Sequence, residues 1–354
     1  MTAIAVTGVS GSVGQRLLPQ LAALSTVERV VGLDVREPRR RARHLEFHRV
    51  DLAGAELKPL LEGVDVVVHL AAIVDPIPDG ALMTRANVEA TRHLLDAAAA
   101  VGVRKVIRVS PSWVYGAWSN NPVPITEDAP LRPNEGYLPP VHAAEVERLL
   151  AEWGSEHPGA VVTVLRSAPV LGGAAERLPA RLVLGHPALR VRGAAPPVQV
   201  VHVDDLVDAL VLAVGTDLPG AYNVAADGWL DAEAAGALLP RAWLPPLPAE
   251  SLQRVLDGLW WSGLGDVPPG IVPYLVHPCV IAADRLRAAG WSPRHENEDA
   301  ILDGLDALPK TRSRLAPIAL GAVGVFFVAL AGGAALSWRR RKKGSRRATR
   351  PIQG

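Results

Sequence analysis

The sequence predicts an α/β protein built on a doubly wound parallel sheet, on three observations. Residues 4–14, Ile-Ala-Val-Thr-Gly-Val-Ser-Gly-Ser-Val-Gly, join a short apolar run to a helical pattern (Leu17, Leu18, Leu21, Leu24) through Gly8, Gly11 and Gly14. A second apolar run, Val30-Val31-Gly32-Leu33, ends in Asp34, 20 positions past Gly14. Short apolar runs then alternate with helical stretches down the chain, as strands buried on both faces of a parallel sheet do.

The first strand, around Ile4–Val6, leads into the glycine turn. Glycines there let the backbone turn tightly and approach a pyrophosphate closely, and the N–H groups at the start of the following helix face the phosphates. Ser10, Ser12 and Val13 complete the turn and belong to the same candidate site. A carboxylate at the tip of the second strand accepts hydrogen bonds from the ribose hydroxyls of NAD and repels the 2′-phosphate of NADP, so Asp34 makes NAD the expected cofactor. Arg36, Arg39, Arg40, Arg41 and Arg43 follow it. They read either as a solvated basic loop or as tolerance for NADP, the second-ranked cofactor.

A third strand is expected at Phe47–Val50, closed by Asp51-Leu52. A fourth is expected at Val64–Val68, running into His69-Leu70-Ala71-Ala72. Residues 87–101 read as a helix and Lys105–Val109 as the next strand, with further strands at Val161–Leu165, Gln199–His202 and Tyr222–Val224. A helix starting near Asp204-Asp205 carries Leu206, Ala209, Leu210 and Ala213 on one face. Residues 240–275, rich in proline, tryptophan and glycine, read as an irregular substrate-side cap packed by aromatic rings.

Composition narrows the function classes. The net charge of +1 conceals a basic C-terminus, and no basic face over the body points to nucleic acid. A single cysteine, Cys279, permits no intrachain disulfide and fits a reducing compartment. The chain enters its first strand without a charged leader, so the body is expected in the cytoplasm. His44 and His48 are four apart, but no third ligand accompanies them and no metal is expected.

Residues 315–338 contain no charged residue. At about 1.5 Å per residue, such a helix reaches roughly 36 Å, enough to cross a bilayer. Trp338 stands where an interfacial aromatic would, and Arg339-Arg-Arg-Lys-Lys343 follows. A single-pass membrane segment is expected, with lipid bilayer as a partner. Eight cations after the span against three before it favour a cytoplasmic tail. A cytoplasmic body requires instead that the tail cross or the segment bend back.

Several further stretches carry a resemblance: Asn87-Val-Glu-Ala-Thr91, Val114-Tyr-Gly116, Leu165-Arg166 with Val170-Leu-Gly172, Val201-His-Val-Asp-Asp-Leu206, Tyr222-Asn-Val-Ala225 and Gly290-Trp-Ser-Pro293. With the glycine turn, Asp34, Asp51-Leu52 and His69–Ala72, they make residues 2–308 resemble an extended short-chain dehydrogenase/reductase. The type is the NAD-dependent epimerase/dehydratase, related to membrane-bound 3β-hydroxysteroid dehydrogenases. The resemblance implies a Rossmann fold, with Leu70, Ala71 and Ala72 beside the pyrophosphate and ribose. It implies that the segment at Asp204-Asp205 caps a helix beside the substrate pocket, while His69, at a strand end, reads as a structural imidazole. It also implies homodimers built on a four-helix bundle that includes the helix after Tyr137, and Ala144, Leu149 and Leu150 permit this.

In that family a tyrosine shuttles the hydroxyl proton, a lysine four residues later lowers its pKa, and a serine or threonine three residues before Val-Tyr-Gly binds the reacting oxygen. Here the last position is Pro111, flanked by Ser110 and Ser112, which an ideal strand register turns away from the slot. Tyr137 is followed four residues on by Val141, and no lysine occurs between Lys105 and Lys310. Alignment on Glu147-Arg-Leu-Leu150 instead puts Pro139 in the tyrosine slot and Ala143 in the lysine slot. Tyr137 and Ser112 remain the candidate catalytic hydroxyls, with His142 as a substitute acid/base.

The organisation expected is a domain over 1–310, with a cofactor half about 1–165 and substrate-side elements about 166–308. A transmembrane helix at 315–338 and a basic tail at 339–354 follow. The function expected is a membrane-tethered oxidoreductase acting on a lipid-, sterol- or sugar-derived alcohol or ketone, through a degenerate site. The alternative is a non-catalytic NAD-binding sensor or scaffold.

Overall fold

A computed structural model describes residues 2–39, 42–172, 177–185, 189–239 and 245–308. In chain order the elements are β1 (Thr2–Thr7), α1 (Ser12–Ala23), β2 (Val27–Asp34), β3 (Leu45–Arg49), α2 (Lys58–Leu61), β4 (Val66–His69), α3 (Gly80–Thr84), α4 (Ala90–Val101), β5 (Lys105–Pro111) and α5 (Leu138–Glu156). There follow β6 (Val161–Ser167), β7 (Val170–Leu171), α6 (Leu178–Val183), β8 (Val201–His202), α7 (Val203–Gly215), β9 (Gly220–Val224), α8 (Ala232–Leu238), α9 (Ala249–Trp261), α10 (Asp284–Ala288) and α11 (Asn297–Ala307).

Seven strands form one sheet in the order β3-β2-β1-β4-β5-β6-β9, and every neighbouring pair is parallel. Alternation along each strand divides its apolar residues between two helical layers. Ile4, Val6, Val30, Val68, Ile107 and Leu165 pack on Leu17, Leu21, Leu206 and Leu210 of α1 and α7. Ala5, Val31, Val67, Val106 and Val164 pack on Leu94, Leu95, Val146, Leu150 and Trp153 of α4 and α5. Burial on both faces is why these strands read as continuous apolar runs.

A chain of buried polar contacts crosses the sheet between β5 and β9. Glu147 of α5 accepts from Arg166 Nη2 at 2.7 Å and Nε at 2.9 Å, while its other oxygen accepts from Ser110 Oγ at 2.5 Å. Arg166 Nη1 donates to the Tyr115 hydroxyl at 2.9 Å, which donates to Asn223 Oδ1 at 2.8 Å. Burial disfavours the Arg166 charge, but the adjacent Glu147 outweighs it and holds the guanidinium above its ordinary value.

Several elements differ from expectation in extent. β3 spans Leu45–Arg49 rather than 47–50, although Val50 N–H still donates to Asp34 O at 2.9 Å. The helix expected at 87–101 begins with a wider π turn over Arg85–Glu89, and its regular part is α4. Residues 240–275 include a regular helix, α9, besides the 3₁₀ turn Pro269–Leu275. α7 is capped by His202, whose Nδ1 accepts from Asp204 N–H at 3.2 Å. Asp205 is buried and accepts from the Arg294 and His295 backbones at 3.1 Å each, and Asp204 Oδ1 accepts from Arg16 Nη1 at 2.9 Å.

The apolar positions read as permitting a four-helix-bundle dimer lie on α5, where Ala144 is partly buried. Leu149 and Leu150 are buried in this chain's own core, and the exposed face of α5 carries Arg148 paired with Glu145 and Glu152. Residues 1–308 form one compact unit. The expected membrane helix at 315–338 and the tail at 339–354 lie outside the described residues. No helix among the described residues is long and apolar enough to cross a membrane.

Replacing Arg166 by methionine leaves Glu147 buried without its main partner. The expected loss is about 3–5 kcal/mol, read as a lowered midpoint in urea denaturation.

Candidate active site

The parallel register brings Thr7, Asp34, His69, Pro111 and Ser167 to the carboxyl edge of the sheet, where doubly wound folds bind ligands. The glycine turn lies there because nothing larger fits. Gly8 has φ +68°, and a Cβ on it would stand 2.7 Å from Ala71 N; one on Gly14 would stand 2.7 Å from Gly8 O. Gly11 N–H closes the turn onto Gly8 O at 3.0 Å. Gly11 is also the N-cap of α1, which has no side-chain cap and no acidic residue in its first turn. That helix start is free to receive an anion.

Asp34 joins the turn to β2. Its Oδ2 accepts from Ser10 N–H at 2.9 Å and its Oδ1 from Arg36 N–H at 3.0 Å, and each oxygen keeps further acceptor capacity for a hydroxyl. The Ser10 hydroxyl donates to Arg36 O at 2.5 Å. Ser10 and Asp34 thus shape the turn from outside the cavity below. Asp51 is exposed in the turn after β3, accepting from Ala53 N–H at 3.1 Å, and Leu52 is buried beside it.

A cavity opens between the turn and the carboxyl ends of β4, β5 and β6. Gly8, Gly11, Ser12, Val13, Gly14, Leu70 and Ala72 line one end. Ala71 does not line it; its N–H is tied to Thr7 Oγ1 at 3.2 Å. Pro111, Ser112, Trp113, Pro139 and Ala143 line the other end. The glycine turn, the cavity shape and the uncapped helix fit a dinucleotide lying from Asp34 toward Ser112.

At that far end the residues of the second alignment line the cavity. Pro139 and Ala143 of α5, not Tyr137 and Val141, face the cavity. Tyr137 precedes α5 and is buried in an aromatic cluster, 5.8 Å from both the Trp113 and Tyr274 ring centres. Its hydroxyl has no hydrogen-bond partner, and burial drives its pKa well above the ordinary tyrosine value. Proline at α5's first turn fixes this placement, because its ring is tolerated only there.

Ser112 does line the cavity, contrary to the ideal-strand expectation, because β5 ends at Pro111 and a 3₁₀ turn over Ser112–Tyr115 redirects the chain. Its hydroxyl is buried without a partner. Ser110 is bound to Glu147 and does not line the cavity. His142 is buried and bonded to Thr84 Oγ1 at 3.1 Å; burial lowers its pKa, and it does not line the cavity. His69 bridges Thr7 and Thr91 at 2.7 and 2.9 Å, and burial, helped by Arg108, holds it neutral. Both observations fit a structural imidazole.

Sequence reading overlooked Arg108. It lines the cavity, is 4% exposed, and its Nη1 donates to His69 O at 3.0 Å and Ala71 O at 3.2 Å, while its Nε has no partner. Burial brings its pKa down to about 10, so it stays charged at neutral pH. An arginine inside the apolar run Val106-Ile107-Arg108-Val109 was the available signal. Among the described residues no cluster could hold a metal ion.

Residues 4–225 match the NAD-dependent epimerase/dehydratase family model. The chain is 32% identical over 317 residues to a 3-diazoavenalumate denitrifying reductase of a Streptomyces species, covering 82% of this chain and 96% of the relative. It is 30% identical over 238 residues to an uncharacterized protein of Mycobacterium bovis, covering 64% of this chain and 63% of that relative's length. Among solved structures, the Thermus thermophilus UDP-glucose 4-epimerase complex with NAD superposes with a TM-score of 0.67 at 22% identity, covering 86% of this chain and 98% of that one. The Bacillus cereus UDP-glucuronic acid 4-epimerase complex with NAD gives 0.64 at 20% identity, with the same coverage. The chain belongs to the NAD-dependent epimerase/dehydratase family.

Because Ser112 Oγ has no partner to lose, Ser112→Ala should leave the melting temperature unchanged or slightly raised. Ser110→Ala takes a donor from buried Glu147 and should cost about 1–3 kcal/mol. Thermal denaturation of the two variants side by side distinguishes these effects.

Proposed function

We propose that this member of the family is an NAD-dependent oxidoreductase acting on an alcohol or ketone of lipid, sterol or sugar origin, with an altered set of reaction-site residues. The observation that carries the reading is the glycine turn packed against Ala71, with Asp34 at its flank and an uncapped helix at its end. Gly8, Gly11 and Gly14 leave room for the pyrophosphate, the N–H groups opening α1 face it, and Asp34 accepts from the ribose hydroxyls. Bound NAD supplies hydride transfer at its nicotinamide. At that end of the cavity, Ser112 Oγ donates to the reacting oxygen. Tyr137 has no part in this reading, since it lies off the cavity lining.

Pro139 and Ala143 at the tyrosine and lysine slots favour a second reading, a non-catalytic NAD-binding sensor or scaffold. Turnover separates the two. An NAD-dependent rate on a panel of alcohols and ketones supports the enzyme. Binding without turnover, unchanged in a Pro139→Tyr/Ala143→Lys double variant, supports the sensor.

Either protein is proposed to be held at a bilayer by the uncharged stretch 315–338. Retention of the full chain in membranes after alkaline carbonate washing, and its release after deletion of 315–354, is the expected result.

For the cofactor, titration of the full chain with NADH, read by energy transfer from tryptophan, should saturate at micromolar concentration. NADPH should bind about tenfold or more weakly, and Asp34→Ala should narrow that difference. Equal affinity for both in the native chain would remove the assigned role of Asp34.

A further inference from the structure

A second cavity of about 580 Å³ adjoins the cofactor cavity and shares Trp113 and Pro169 with it. Its walls are mostly aliphatic and aromatic, with Leu182, Val183, Leu189 and Val191 among them. Trp113 and Tyr274 form a stacked pair on its lining, centres 4.7 Å apart and planes at 29°. The Tyr274 hydroxyl and the Gln199 amide on this lining are engaged in the wall. Tyr274 hydroxyl donates to Trp113 O at 3.0 Å. Gln199 Nε2 donates to Gly228 O at 2.9 Å and Ile281 O at 3.0 Å, and its Oε1 accepts from Ile281 N–H at 2.8 Å. Burial raises the Tyr274 pKa and pushes the Cys279 thiol up to about 12, so both stay neutral.

Among the described lining residues, Arg190 is the one side chain with a fixed charge, and it is exposed. A nucleotide diphosphate brings about two negative charges and is ordinarily held by several cations or a helix start. Among the described residues this wall has no cation cluster. Its apolar faces suit rings and aliphatic skeletons, with the polar reacting group directed past Trp113 to the cofactor side.

We propose that the second cavity is the substrate compartment and that it selects an apolar, ring-bearing alcohol or ketone, aromatic or alicyclic, over a nucleotide-linked sugar. The proposal rests on the oxidoreductase reading for its chemistry, while its binding selectivity stands on the cavity alone.

The test uses the full chain in detergent micelles with three probes: progesterone, cinnamaldehyde and UDP-glucose. Tryptophan quenching reports binding, and Trp113→Phe identifies the part of the signal that arises at the cavity. Gly236 of α8 lines the cavity, and a Cβ on it meets nothing within 4 Å, so Gly236→Glu adds a carboxylate to the wall without a clash. Saturable binding of at least one apolar probe, weakened about tenfold or more by Gly236→Glu, with UDP-glucose binding more weakly than that probe, is the expected result. Tighter binding of UDP-glucose, apolar binding indifferent to Gly236→Glu, or no binding of any probe overturns the proposal. NADH titration of the same samples keeps the two readings apart. Failure of NADH with apolar selectivity intact removes only the cofactor assignment, and intact NADH binding without apolar selectivity removes only this proposal.

Discussion

The candidate site depends on one close approach, the passage of the glycine turn against the carboxyl end of β4. At Gly8 a methyl group would stand 2.7 Å from Ala71 N, and at Gly14 the same distance from Gly8 O. Those separations leave no room for a side chain, so the turn brings bare backbone to the sheet edge. From it follow the direction of α1, the exposure of its first N–H groups, and the anchoring of Ser10 N–H on Asp34. His69 and Thr7 then fix the facing wall by bonding to each other across β1 and β4.

The far end of the cavity is ordered by a different logic. A proline pair opens α5, which sets Tyr137 before the helix among Trp113 and Tyr274 and turns Pro139 and Ala143 to the cavity. The buried cations of the sheet sit on strands. Arg108 of β5 is pinned by two strand-end carbonyls, and Arg166 of β6 is neutralised by Glu147. A buried guanidinium is costly without partners, so the carbonyls of His69 and Ala71 keep Arg108 in place. A cation fixed this way suits charge stabilisation better than proton transfer, since at about 10 its pKa lies well above neutrality.

Beyond Trp113 the lining passes to Leu182, Val183, Leu189 and Val191 with the Trp113–Tyr274 pair. The two cavities share the Trp113 ring, so a ligand spanning them would meet polar recognition at its reacting end and apolar contact elsewhere. The wall of the second cavity comes from short, separate pieces: α6, α8, the 3₁₀ turn Pro269–Leu275 and the segments at 189–199.

The sequence alone determined the parallel sheet, the glycine turn and the place of Asp34, because each is a local matter. Strand periodicity, a residue without a side chain, and a carboxylate ending an apolar run are all written within a few consecutive positions. The structural role of Asp205 was legible through the resemblance, and that of His69 from its place at a strand end. Only the tertiary structure shows Pro139 and Ala143 rather than Tyr137 and Val141 on the cavity lining, because a two-residue difference at the start of α5 depends on how Tyr137 packs with Trp113 and Tyr274. It also turned Ser112 inward through a 3₁₀ bend that an ideal strand lacks, and enclosed Leu149 and Leu150 in the protomer. Arg108 came into view last, since its two carbonyl partners, 39 and 37 positions away, meet it only across the β4–β5 pairing.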